Sequence, residues 1–231
     1  MKKFLPLSIF CASLFLILGV LGSDPAKTNE EGPANPHTAA SALADLQAGS
    51  QRFASNQSLH PRLEKEISAK LSAEGQFPRA AVLACSDSRA PVEIIFDMGL
   101  GDLFTVRAAG AVAGPDQVGS LEYAVEHLNV PLIIVLGHTK CGAVSAAVAG
   151  AQEPGALGGL LARLEPAVQA VKNLPAQHQA GAAVVEAVDL TIGDLLKQSP
   201  VLSHALQEEK IKIIGAVYNL DSRQVFFRLN P

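Results

Sequence analysis

Hydrophobic positions along the chain change their period in a regular way. From Thr38 onward Ala39, Leu43, Leu46 and Phe53 recur at helical spacing and stop at Asn56, and Leu63, Ile67 and Leu71 suggest a second, short helix. Gly75-Gln76-Phe77-Pro78 interrupts the pattern. The continuous apolar run that follows, residues 81–84, is too short for a helix and reads as a strand buried on both faces. Pro91 opens a short helix through Ile95, Gly99 and Gly101 mark a turn, residues 103–106 read as a strand and 116–128 as an amphipathic helix. A second unbroken apolar run, 131–136, is the next buried strand. Helical spacing then covers 160–171, 182–196 and 200–208, followed by a strand over 211–217 and a hairpin partner over 225–229. No repeat of fixed period interrupts this order. The alternation predicts an α/β fold, a central, mostly parallel β-sheet flanked by α-helices with right-handed crossovers.

The amino terminus follows a different pattern. Met1, Lys2 and Lys3 precede an apolar stretch over 4–21, and the small residues Gly22 and Ser23 come next, the layout of a secretory signal peptide cut after Gly22. The competing expectation is an uncleaved anchor, since about 18 apolar residues approach spanning length. Polar sequence with Pro25, Pro33 and Pro36 follows at once, which favours cleavage, no stable membrane insertion afterwards, and a periplasmic or secreted protein. The chain therefore divides into a signal peptide (1–22), a flexible linker (23–37) and one catalytic domain (38–231).

With 231 residues, 48% of them hydrophobic and 17% charged, the chain has material for one globular domain. A formal net charge of -4 gives no polyanion-binding signal, so nucleic acid is not an expected partner.

Both apolar runs end in chemistry. The first breaks into Cys85-Ser86-Asp87-Ser88-Arg89, and the second into Gly137-His138-Thr139-Lys140-Cys141-Gly142. In parallel sheets ligands gather at the carboxyl ends of the strands, where these residues fall. Cys11 departs with the signal peptide, leaving two sulfurs and one paired imidazole. Two thiolates and an imidazole suit Zn²⁺ with one open coordination position, a catalytic arrangement. Two cysteines in an oxidising compartment also suit a disulfide, and the residues alone leave both open. Asp87 and Arg89 form either an acid–base pair or a strand-end salt bridge. Gly99-Leu100-Gly101 reads as a turn rather than a phosphate loop, Asp97 and Asp102 as turn and capping residues, and His37, His60, His127, His178 and His204 as structural or surface histidines.

The motifs Cys85-Ser86-Asp87-Ser88-Arg89, 101–110 (Gly-Asp-Leu-Phe-Thr-Val-Arg-Ala-Ala-Gly), 120–125 (Ser-Leu-Glu-Tyr-Ala-Val) and 137–142 together resemble the β-class carbonic anhydrases, from about Leu43 to the final strand. The resemblance implies that Cys85, His138 and Cys141 bind one Zn²⁺ per chain and that Asp87 and Arg89 form the catalytic dyad. It implies that Gln76, Phe104 and Tyr123 line the substrate pocket, partly across a dimer interface, with the amide of Gly142 also against substrate. The expected reaction is reversible hydration of carbon dioxide to bicarbonate by attack of zinc-bound hydroxide, in a homodimer or dimer of dimers. Two thiolates cancel the metal's charge, so the bound water needs a carboxylate beside it to accept a hydrogen bond. Hydrolysis of carbonyl sulfide or carbon disulfide on the same scaffold, and a non-catalytic zinc-binding protein, are the alternatives.

Family members often carry Asn twice where this chain has Ala108 and Ala111. In the family Asp87 also has a second state, as the fourth zinc ligand of a closed site, linked to a bicarbonate pocket with a tryptophan at the position of Val82. The chain has no Trp, so Asp87 is expected to stay with Arg89.

Overall fold

Five strands carry the apolar runs into one sheet: β1 (Ala80–Ala84), β2 (Leu103–Arg107), β3 (Leu132–His138), β4 (Lys212–Tyr218) and β5 (Val225–Arg228). A computed structural model describes residues 34–229. The strand order is β2-β1-β3-β4-β5, with the first four parallel and β5 antiparallel to β4. Every residue of β1 and β3 is buried, as a central parallel strand covered on both faces requires.

Alternation along those strands sorts the two cores. Ala81, Leu83, Ile133 and Val135 face α4 (Pro115–Leu128), α8 (Ala176–Gln198) and α9 (Pro200–Gln207), while Val82, Ala84, Ile134 and Leu136 face α1 (Ala39–Ala54) and α3 (Val92–Ile95). Gly137 and Gly215 bring α8 directly onto the sheet, since a Cβ on either would stand 2.8 or 2.7 Å from a Val188 methyl. A third cluster closes over the carboxyl ends of the strands. There Cys85 and Cys141 pack with residues of α5 (Gly142–Val148), α7 (Glu165–Val171) and α8.

Local signals set several boundaries. Thr38 and Ser41 form a reciprocal capping box at the start of α1. Pro115 opens α4, and Asn129, left-handed at φ 49°, ends it. The segment α2 (Lys65–Glu74) buries no residue of its own. The helix expected over 160–171 is broken into α6 (Gly155–Ala162) and α7, because Pro166 has no N–H to bond the carbonyl of Ala162. Helix α8 begins six residues before the expected start, behind Pro175.

The signal-peptide expectation lies outside the described residues. Most of the expected linker lies outside them too; near its carboxyl end the Asn35 amide donates to the carbonyls of Pro78 and Leu128 at 2.8 and 3.2 Å. Among the described residues no helix is long and apolar enough to cross a membrane.

Candidate metal centre and active site

Strand β1 ends at Ala84, and pairing with β2 persists just beyond it, with Ala108 N–H donating to Ala84 O at 3.0 Å and Ser86 N–H to Ala108 O at 3.2 Å. Cys85 is thereby fixed at the strand's carboxyl end. The Arg107 guanidinium gathers the following loop, donating to the carbonyls of Cys85 (3.0 Å), Asp87 (2.7 Å) and Ala90 (3.3 Å). Strand β3, paired next to β1, ends at His138, and Cys141 precedes α5.

These elements bring the two sulfurs to 3.9 Å, and one ligand atom each from Cys85, His138 and Cys141 lies within 4.8 Å of the others. Two thiolates about 2.3 Å from one tetrahedral zinc stand ~3.8 Å apart, so the separation fits that ion. His138 Nδ1 lies 2.9 Å from Thr139 O, an arrangement that assigns the proton to Nδ1. Its Nε2 is buried and has no hydrogen-bond partner. A buried acceptor without a partner, beside two cysteine sulfurs, fits a metal seat. Gly110, at φ 71°, turns its N–H onto Cys85 Sγ at 3.3 Å.

The charges agree with a cation's seat. The hydrogen bond from Cys141 is the main influence lowering the Cys85 pKa against the cost of burial, with His138 and the amides of Asp87 and Gly110 assisting. The same shared proton and burial push Cys141 up. The metal-free pair thus holds one thiolate and one thiol, and a divalent cation would displace the second proton. Burial alone would lower the His138 pKa, yet the nearby Cys85 sulfur, the Thr139 carbonyl and the charge of Asp87 raise it.

Asp87 stands beside the triangle, its Oδ2 3.8 Å from His138 Nε2, but does not join the three-ligand cluster. Arg89 holds it with a fork, Nε to Oδ1 at 3.0 Å and Nη2 to Oδ2 at 2.7 Å, and its amide donates to Oδ1 at 2.9 Å. These contacts keep the carboxyl well below the usual carboxylate range. Arg89 Nη2 also donates to Lys140 O at 3.2 Å.

The remaining sequence-named residues are placed less directly. Gln76 is exposed before β1, and Gly142 is exposed at the first position of α5. Phe104 and Tyr123 pair at 6.1 Å between ring centroids, with Tyr123 48% exposed. Neither lines the small cavity at the metal centre, whose walls include Gly110, Ala111, Val144 and Val184. Ala111 therefore gives an apolar wall where an asparagine is common in the resembling family. Asp97 and Asp102 are buried loop clamps: Asp97 accepts from the amides of Leu59 and His60 and from Arg52, and Asp102 from the amide of Gly99. Sequence reasoning assigned no role to Arg107 or to the Lys140 carbonyl. The first had a signal, a lone cation at the end of β2; the second, a backbone atom, had none.

The α/β sheet thus presents a soft three-ligand seat for a metal ion next to an ionised carboxylate, the site class of a metalloprotein. Comparison with known proteins gives the class its name. A family model described as carbonic anhydrase matches residues 80–225. "Carbonic anhydrase 2" of Mycobacterium tuberculosis is 39% identical over 195 residues, spanning 79% of this chain and 89% of that protein. The carbonic anhydrase of Mycolicibacterium smegmatis is 37% identical over 206 residues, spanning 84% and 94%. The crystal structure of the β-carbonic anhydrase CafA of Aspergillus fumigatus superposes with a TM-score of 0.66 at 28% identity, covering 82% of this chain and 92% of that one. The chain belongs to the β-carbonic anhydrase family, which is zinc-dependent, and it hydrates carbon dioxide reversibly to bicarbonate.

Proposed function

We propose that Cys85, His138 and Cys141 hold the one Zn²⁺ of each chain, that Asp87 and Arg89 manage the proton, and that the enzyme works outside the cytoplasm as a homodimer or dimer of dimers. The observation that carries the site assignment is the convergence of three ligand atoms, one an orphaned buried nitrogen, beside a carboxylate already held in its ionised form.

Bound zinc lowers the pKa of a water and so supplies a nucleophile near neutral pH. Asp87 supplies direction. Its Oδ1 is occupied by two donors of Arg89, whereas Oδ2 takes only Nη2 and keeps a lone pair on the side of the ligand triangle. That lone pair would accept a hydrogen bond from the oxygen nucleophile that the metal supplies and so would leave that oxygen's own lone pair free to face carbon dioxide. Asp87 acts only while ionised, a state that Arg89 maintains through neutral pH. The Arg107 clamp holds the main chain of the Cys85–Ala90 loop that carries Asp87.

Gln76, Phe104, Tyr123 and the Gly142 amide complete the substrate pocket in this reading, partly from the second subunit. The exposure of Leu59, Leu63 and Tyr123 supports a covering partner, since a lone chain leaves these side chains in water. The export assignment rests on the cationic start, apolar run and small residues of 1–22, and sequencing of the mature amino terminus is expected to begin near Ser23.

The site assignment is tested by metal analysis. One zinc per chain is expected in the parent protein, and a large loss in both Cys85→Ser and His138→Ala, since either change leaves two protein ligands. A full complement in either variant refutes it.

A further inference from the structure

We propose that Thr139 is a positioning residue for the hydration reaction, acting through the Lys140 carbonyl on Arg89; the proposal rests on the assignment of Asp87 and Arg89 as the dyad.

The Arg89 side chain is 55% exposed, so its grip on Asp87 is open to solvent and salt. What limits it to one pose is a second acceptor. Nη2 has two hydrogens; one goes to Asp87 Oδ2 at 2.7 Å and the other to Lys140 O at 3.2 Å. The direction of that carbonyl depends on Lys140 at φ 56°, a conformation that side chains other than glycine rarely adopt. It must therefore be imposed from outside.

The imposing contacts come from the turn between β4 and β5, 81 residues away. Thr139 N–H donates to Tyr218 O at 2.9 Å and carries the β3–β4 pairing one residue past His138. Thr139 Oγ1 accepts from the half-buried amide of Leu220 at 3.0 Å. Lys140 Nζ reaches Asp221 Oδ1 at 2.6 Å, but both partners are exposed, so the hydroxyl is the stronger tie. The turn itself is set by Asn219 Oδ1, which accepts from the amides of Asp221 and Ser222 at 2.8 and 3.1 Å. The carbonyl of Thr139 faces His138 Nδ1 and that of Lys140 faces Arg89.

The test compares Thr139→Ala, Thr139→Ser, Arg89→Ala and the Thr139→Ala/Arg89→Ala pair, with stopped-flow carbon dioxide hydration and zinc analysis on each. Thr139→Ala is expected to lower kcat by about tenfold, as loss of an outer-shell partner does, with KM little changed and zinc retained. Thr139→Ser, which restores the acceptor, recovers most of that loss. In the Arg89→Ala background the same alanine substitution should cost less than about twofold, because the residue through which it acts is gone. An unchanged kcat in Thr139→Ala, an equal loss in both backgrounds, or a loss that follows zinc depletion overturns the proposal. If Arg89→Ala keeps its activity, the dyad assignment itself fails, a result distinct from failure of the relay alone. Should Thr139→Ala not fold, the isosteric Thr139→Val, which removes the acceptor and keeps the volume, is read by NMR instead: faster solvent exchange of the Arg89 guanidinium N–H groups supports the relay, and unchanged exchange overturns it.

Discussion

Replacing Asp87 with asparagine removes one charge and changes little volume. Asp87 accepts three hydrogen bonds from Arg89 at 2.7 to 3.0 Å, and the substituted amide has a single oxygen to offer. If that oxygen stays with the guanidinium, an NH₂ group occupies the place of Oδ2 and meets the attacking oxygen as a donor. If the amide flips, its NH₂ faces the guanidinium and the pair comes apart. Either way the reacting oxygen loses a charged acceptor beside His138, and the interaction that aims it is lost in the transition state. Losing one preorganised hydrogen-bond partner of the reacting oxygen costs about 10²- to 10³-fold, so kcat is expected to fall at least ~10²-fold, or about 2.7 kcal/mol. Zinc should stay at the parent level, because Asp87 lies outside the three-ligand cluster. Stopped-flow hydration with a pH indicator, paired with zinc analysis of the same sample, gives both numbers. A zinc-replete variant within about threefold of the parent, a difference of ~0.7 kcal/mol, refutes the role given to Asp87.

Metal-stripped protein should retain the ultraviolet absorbance of a thiolate well below the ordinary thiol pKa of about 8.5, because the pKa of Cys85 is lowered by Cys141 and that of Cys141 is raised. A single step for both thiols near that value counts against the shared proton. Chelation under diamide, without reductant, should join the two sulfurs, now 3.9 Å apart, with loss of two hydrogens by mass spectrometry; two free thiols persisting under the oxidant contradict the close approach. Light scattering at assay concentration should give a dimer or tetramer, and an active monomer rules out a pocket shared between subunits.

The parts of the site that rest on side chains at strand ends were legible because a buried strand has one period and one destination. The runs ending at Cys85 and His138 announce themselves, and parallel pairing makes them neighbours. The break at Pro166 was also in the sequence, but apolar spacing continued across it through Leu161, Leu164 and Ala167 and hid it. Helix α5 left no pattern, since seven residues of Gly, Ala, Val and Ser have little periodic contrast. Gln76, Phe104 and Tyr123 were named only through family resemblance. The Arg107 clamp depends on three carbonyls of another loop, and the Lys140 contact on a backbone conformation; neither follows from residue type.

The central claim, that hydration depends on zinc in the Cys85–His138–Cys141 seat, is tested most directly by titrating zinc back into reduced, metal-stripped protein while carbon dioxide hydration is followed by stopped flow. Activity should rise in proportion to bound zinc, level off at one ion per chain and extrapolate to zero in its absence. Substantial hydration by the stripped protein, or full recovery in Cys85→Ser at the same zinc concentration, would contradict it.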